Sequence, residues 1–214
     1  MSSIVLNTQT SYDQVAAQYA EKFKEEMDDK PFDRDCLDHL VREVGNLGPI
    51  CDMGCGPGQI ARYLHHQGVD TLGVDLSPRM IVEAGRLNPE IPFHQGDMLS
   101  LPDADNSWGG IAAFYCIIHI PREQVVEALR EMKRVLKPGG ELLVTFHIGN
   151  EVKHIEEWWE KPVNLDFIFY QPAEMETWLK EASFDLEETL VREPNPEVEV
   201  ATRRVYVFAR KPKI

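Results

Sequence analysis

Three glycines at alternate positions, Gly54, Gly56 and Gly58, interrupt the segment Cys51-Asp52-Met53-Gly54-Cys55-Gly56-Pro57-Gly58-Gln59. A short apolar run precedes them, and Ile60-Ala61-Arg62-Tyr63-Leu64 follows with helical spacing. This reads as a strand that ends in a tight turn and opens directly onto a helix. Without Cβ atoms, the backbone of such a turn can come close to a ligand. A second apolar run, Val69 to Asp75, ends Leu72-Gly73-Val74-Asp75. Its carboxylate then lies at the same edge of a parallel sheet, where it is suited to hold a ribose diol.

The rest of the chain extends that pattern. Ser11 with Gln14 reads as a capping box, ahead of Tyr12, Val15, Ala16, Tyr19 and Phe23 on one helical face. A second helix is expected from about Asp33, and the sheet from Pro49. Gly68 stops the helix after the glycine turn. Ser77-Pro78 starts the next, a hydroxyl cap followed by proline. Ile91–His94 and Trp108–Cys116 read as the third and fourth strands. Val125 to Leu136 is an amphipathic helix closed by Lys137-Pro138-Gly139-Gly140, and Glu141–His147 a fifth strand. Strands alternating with helices imply an α/β fold, doubly wound around a mostly parallel sheet. After a helix near Pro172–Ala182, Phe184–Val191 and Arg204–Ala209 have no helix between them, so they pair as an antiparallel hairpin.

One domain is expected over 1–214, in four stretches: the helical 1–47, the alternating strands and helices of 48–148, the aromatic and acidic 149–171, and a last helix with hairpin over 172–214. The net charge of −14 argues against a broad nucleic-acid footprint. No apolar run reaches the ~20 residues that span a bilayer. Met1-Ser2-Ser3-Ile4 lacks the start of a secretory signal. Cys36, Cys51, Cys55 and Cys116 have no framework spacing, which implies reduced thiols and a cytoplasmic protein. No metal site is expected, because a strand residue (Cys51) and a turn residue (Cys55) converge poorly.

Five elements in order carry a family resemblance: Asp52-Met-Gly54-Cys-Gly56-Pro-Gly58, Gly73-Val-Asp75-Leu-Ser77-Pro-Arg-Met80, Gln95-Gly96-Asp97-Met98, Ala113-Phe-Tyr-Cys-Ile-Ile-His119-Ile, and Arg134-Val-Leu-Lys-Pro-Gly139-Gly140. From about Tyr12 to Arg210 the chain resembles a class I S-adenosylmethionine-dependent methyltransferase. The resemblance implies a seven-stranded sheet of order 3-2-1-4-5-7-6, strand 7 antiparallel, with helices on both faces. It implies methyl transfer from S-adenosylmethionine to a small-molecule acceptor, leaving S-adenosylhomocysteine. Asp52 and the turn Gly54, Cys55, Gly56 and Gly58 would receive the methionine end, helped by the helix N-terminus beyond. Asp75 would accept from the ribose hydroxyls. Asp97 would accept from the adenine amino group, Gly96 and Met98 would line its pocket, and Leu76 and Met80 would flank the ring. The alternative for Asp97 is a turn-forming aspartate. Tyr12 and Tyr19, two helical turns apart, would close a lid over the cofactor, or else belong to the helix's apolar stripe. Phe114 and Tyr115 read as cofactor wall and core.

Two further readings stay open. A nicotinamide-dependent oxidoreductase needs its third small residue at Gln59, whereas the glycine comes one position early, at Gly58. A non-catalytic cofactor-binding module would keep the same binding residues. For the chemistry, transfer from a sulfonium mainly requires alignment and exclusion of water. His119, just past the fourth strand, and His147, ending the fifth, are candidate bases, as is Tyr19 beside the acceptor; the alternative for both histidines is packing. Lys30 and Arg34 are candidates for positive charge at the mouth. Between Gly149 and Tyr170, Glu156, Glu157, Trp158, Trp159 and Asp166 suit a cationic or aromatic acceptor, or form an amphipathic cover. Oligomeric state is not legible.

Overall fold

The computed structural model describes residues 3–213. Met1, Ser2 and Ile214, with the two ends of the expected domain and the first residues of the reading against a secretory signal, lie outside the described residues. The elements are α1 (Ser3–Phe23), α2 (Pro31–Val44), β1 (Ile50–Met53), α3 (Gln59–His66), β2 (Thr71–Asp75), α4 (Pro78–Leu87), β3 (Phe93–Gln95), β4 (Trp108–Phe114), α5 (Arg122–Val135), β5 (Leu136–His147), β6 (Val152–Trp158), β7 (Lys161–Ile168), α6 (Pro172–Glu181), β8 (Asp185–Arg192) and β9 (Arg204–Arg210). Short 3-10 turns cover Glu26–Asp29 and Ile117–His119.

The main sheet runs β3-β2-β1-β4-β5-β9-β8, with β9 antiparallel to both of its neighbours. This is the expected order, with β8 and β9 as its sixth and seventh strands. Side chains alternate across the sheet, so successive residues feed two cores. Cys51, Met53, Ile111, Ala113, Val144 and Phe146 pack with α5 and α6. Ile50, Ala112, Phe114, Leu143, Tyr206 and Phe208 pack on the other face with Leu37 and Leu40 of α2 and Leu64 of α3. Parallel strands covered on both faces explain the near-continuous apolar runs in the sequence.

Three local expectations change. The helix expected to start behind Ser11 already runs from Ser3. Ser11 is buried in mid-helix, and its Oγ accepts from the backbone N–H of Asn164 at 2.8 Å. The fifth strand begins at Leu136 and takes in the proline-glycine stop, where Gly139 has φ +82°. The stretch from Gly149 to Tyr170 contains a separate two-stranded antiparallel sheet, β6-β7, turning at Trp159 and Glu160. That hairpin packs on α1 through Val15, Val163 and Leu165, with Tyr12, Ile155, Trp158 and Trp159 around them.

Candidate active site

The glycine turn is held by the strand beside it. The N–H groups of Gly54 and Cys55 both donate to the carbonyl of Val74, at 2.7 and 3.0 Å. Gly54 and Gly58 have φ of +67° and +84°, in the left-handed region that disfavours a side chain. A Cβ on Gly54 would lie 2.3 Å from Cβ of Cys116, and one on Gly58 only 2.8 Å from Nδ2 of Asn88. The protein's own packing therefore demands glycine at those two positions. Gly56 differs: the nearest atom to a Cβ there is Cε1 of Tyr19, at 3.7 Å. It is the glycine of the turn that faces Tyr19 of α1.

Asp75 anchors this corner. Its Oδ2 accepts from the N–H of Gly56 at 2.8 Å, and its Oδ1 from the N–H of Ser77 at 2.8 Å. Burial pushes its carboxyl up to about 6, against the lowering effect of these two donors. Each oxygen keeps a lone pair, so the pair can still receive two vicinal hydroxyls. Tyr19, over the turn, makes no hydrogen bond from its hydroxyl among the described residues. This donor and acceptor set fits an adenosine-bearing cofactor. Asp52 is almost wholly buried and accepts the N–H of Ala61 in α3 at 2.9 Å, its carboxyl pushed up to about 7 by burial. Its link is to the helix that follows the turn.

Beyond Asp75, Met80 is buried, and Ser77 caps α4 by accepting from Met80 N at 3.1 Å. The Leu76 carbonyl accepts from Gln95 Nε2 at 3.0 Å. Gly96 follows β3 with its N–H on the Asp75 carbonyl at 2.9 Å. Asp97 Oδ1 accepts from Leu99 N at 2.9 Å, a turn-forming arrangement, and Met98 packs against the α5-side core.

Tyr12, Tyr19 and His119 come together. Nδ1 of His119 lies 2.8 Å from the backbone carbonyl of Asp166, which can only accept, so this nitrogen carries the proton. Nε2 is then the bare nitrogen, and it accepts from the Tyr12 hydroxyl at 2.8 Å. Burial lowers the His119 imidazole to about 4, so the ring is neutral at pH 7. Tyr19 packs edge-on against Tyr12 and Trp158, at centroid distances of 6.0 and 5.8 Å.

His147 belongs to another group. Its ring stacks on Tyr115 at 4.9 Å, and its Nδ1 lies 2.8 Å from Oγ1 of Thr202. Burial, with Arg204 and Lys30 nearby, lowers it to about 4. Tyr115, at φ +53°, reaches the hydroxyl of Tyr206 at 3.2 Å, and Phe114 packs in the α2-side core. The cations expected at the mouth are engaged elsewhere. Lys30 is buried against Glu199 at 2.8 Å, and Arg34 donates to the carbonyls of Met27 and Asp28. Arg192 bridges Glu199 and Asp33.

Residues 50–140 match the family described as a methyltransferase domain. Over those residues the chain is similar to a methyltransferase domain. Over 121 residues the chain is 31% identical to a malonyl-[acyl-carrier protein] O-methyltransferase of Enterobacter lignolyticus, covering 53% of this chain and 46% of that protein. The chain thus spans about half the length of the curated relatives it matches. The magnesium protoporphyrin IX methyltransferase of Synechocystis PCC 6803, solved with bound S-adenosylmethionine, shares the fold at a TM-score of 0.71 and 16% identity, over 99% of this chain and 98% of that one. The 1,6-didemethyltoxoflavin-N1-methyltransferase of Burkholderia thailandensis does so at 0.71 and 18%, over 97% and 88%.

Within the matched residues, the glycine turn and Asp75 share one corner, while His119 is joined to α1, which precedes them. Two contributors escaped the sequence reading. Asp13 Oδ1 accepts from Ser77 Oγ at 2.5 Å and from Arg79 N at 3.1 Å, tying α1 to the start of α4. The carbonyl of Asp166 fixes the His119 tautomer. Asp13 lay next to the tyrosine stripe, but nothing in the sequence pairs it with Ser77. A backbone carbonyl leaves no sequence signal at all.

Proposed function

We propose that this chain transfers the methyl group of S-adenosylmethionine to a small-molecule acceptor. The observation that carries the reading is the Asp75 carboxylate, braced by Gly56 and Ser77 at the end of β2 and covered by Tyr19. Leu76, Met80, Gly96, Asp97 and Met98 would hold the adenine end, and the Gly54–Gly58 turn the methionine end. Residues 1–47 act as lid, 48–148 as cofactor core and 149–171 as acceptor cover.

When bound, the cofactor supplies an electrophilic methyl group on sulfur. The chain's residues orient the acceptor, exclude water and receive its proton. Nε2 of His119 is unprotonated and aimed at the Tyr12 hydroxyl. Nε2 would receive the proton of an acceptor hydroxyl standing where the Tyr12 phenol does, the methyl–sulfur bond of the cofactor breaking as the oxygen–methyl bond forms. Tyr19 shields the cofactor side, and His147 supports the wall through Tyr115. The net charge of −14 favours small molecules over nucleic acid. Four buried free thiols fit the cytoplasm. No helix among the described residues is long and apolar enough to cross a membrane.

Calorimetric titration with S-adenosylmethionine and S-adenosylhomocysteine, on wild type and Asp75→Ala, tests this reading. Wild-type binding that the variant loses supports it. No binding by well-folded wild type cleared of carried-over ligand overturns it.

A further inference from the structure

The tip of the β6-β7 hairpin is built against local preference. Trp159 and Glu160 form its two central residues with φ of +50° and +62°. Two-residue turns with both centres in this region favour Asn-Gly or Asp-Gly, and a bulky side chain there is an outlier. The conformation carries the Trp159 indole back over α1. Its ring lies 6.2 Å from Phe23 at an interplanar angle of 37°, and 6.2 Å from Tyr19 at 54°. Tyr19 in turn stands over Gly56. Strain of this kind persists where the surrounding structure holds it, and it gathers at ligand clamps.

We propose that Trp159 and Phe23, the latter about 16 Å along α1 from Tyr12, form a jaw that grips a flat, conjugated part of the acceptor remote from its reacting hydroxyl, making Trp159 a specificity-determining residue. The inference rests on the methyltransferase reading of the cleft. A ring stacked on both faces needs about 7 Å between its two partners, twice the ordinary carbon contact distance. With centroids 6.2 Å apart and planes tilted by 37°, the two rings have to part and align to admit a third. The charges nearby select further. Lys30, Arg192 and Arg204 are all committed to Glu199, and Arg122 to Glu174. The exposed Lys22 stands 5.2 Å above the Trp159 ring, while Glu160 flanks Trp159 and Asp75 and Glu26 face Tyr19. An uncharged flat acceptor therefore fits better than an anionic one.

The test uses the full chain saturated with S-adenosylhomocysteine and three probes: 2-naphthol, naphthalene-2-carboxylate and cyclohexanol. Binding is followed by quenching of tryptophan fluorescence and by calorimetry. Trp159→Asn removes the indole and gives the turn a residue it prefers, so the hairpin keeps its fold; Phe23→Leu tests the opposite jaw. The wild type should bind 2-naphthol more tightly than the other two probes. Each variant should weaken it about tenfold while leaving S-adenosylhomocysteine affinity unchanged. Three results would overturn the jaw: no 2-naphthol binding to the saturated wild type, equal affinity in both variants, or tighter binding of the carboxylate. Failure of S-adenosylhomocysteine itself to bind would instead strike at the methyltransferase reading.

Discussion

Tyr12 donates its phenolic proton to Nε2 of His119, and the direction is fixed from the far side of the ring, where Nδ1–H is committed to the Asp166 carbonyl. Helix α1, the turn after β4 and the β6-β7 hairpin thus meet at one imidazole. A donor on Nε2 favours the neutral ring. Tyr12→Phe should accordingly raise the His119 pKa from about 4 toward its ordinary value, read by NMR titration of the ring protons. An unchanged value would show that burial alone sets it.

His119→Gln should lower turnover by about 100-fold or more once an acceptor is in hand, in the range for loss of a positioned base. Cofactor affinity should change little, since His119 makes no contact with the glycine turn or Asp75. Equal turnover would leave His119 as a packing residue.

The same histidine predicts how stability depends on pH. Its folded pKa, about 4, is below the unfolded value near 6.5. The neutral-state contribution is thus complete above pH 6.5 and lost as pH falls toward 4. Its full size is on the order of 3 kcal/mol. Urea melts between pH 7.5 and 4.5 should show this loss in the wild type and a shallower slope in His119→Gln. Parallel slopes would refute it.

Asp75 makes the opposite kind of group, since burial lifts its carboxyl to about 6. Protonation below that point removes the charge proposed to receive the ribose hydroxyls. S-adenosylhomocysteine affinity should fall as pH drops from 7 to 5, approaching tenfold per unit at the low end. Asp75→Asn should bind weakly with no such slope.

Gly54→Ala places a Cβ 2.3 Å from that of Cys116, at a φ of +67°. Both faults act together, and the loss of stability should exceed about 2 kcal/mol by denaturant melts. Gly56→Ala meets nothing closer than 3.7 Å, so although its φ of +50° costs some stability, the larger effect should fall on cofactor affinity.

The parts of the fold legible in the sequence are those whose signal is local. Ser77-Pro78 does cap α4, and the spacing of Gly54, Gly56 and Gly58 does form the turn. Ser11 misled because its capping-box pattern is indistinguishable from a mid-helix serine that bonds across to Asn164, a partner 153 residues away. The β6-β7 hairpin was missed for a related reason. Trp159-Glu160 carries none of the Asn or Gly chemistry that announces such a turn. Its packing on α1 supplies what the local sequence does not. His119 could be picked out by position, but its tautomer depends on a backbone carbonyl that folding alone brings near.

The layering of hairpin on α1, and of α1 on the glycine turn, has a kinetic consequence. Tyr19 stands between Gly56 and Trp158, while Asp13 and Ser11 tie the same helix to α4 and β7. The ligand beneath this stack can be exchanged only while the helix is unfastened, whereas the one above it needs only the hairpin tip to part. Steady-state kinetics should therefore obey a compulsory order: the deeper ligand arrives first and its spent form departs last. The spent form should then inhibit competitively against the fresh cofactor alone.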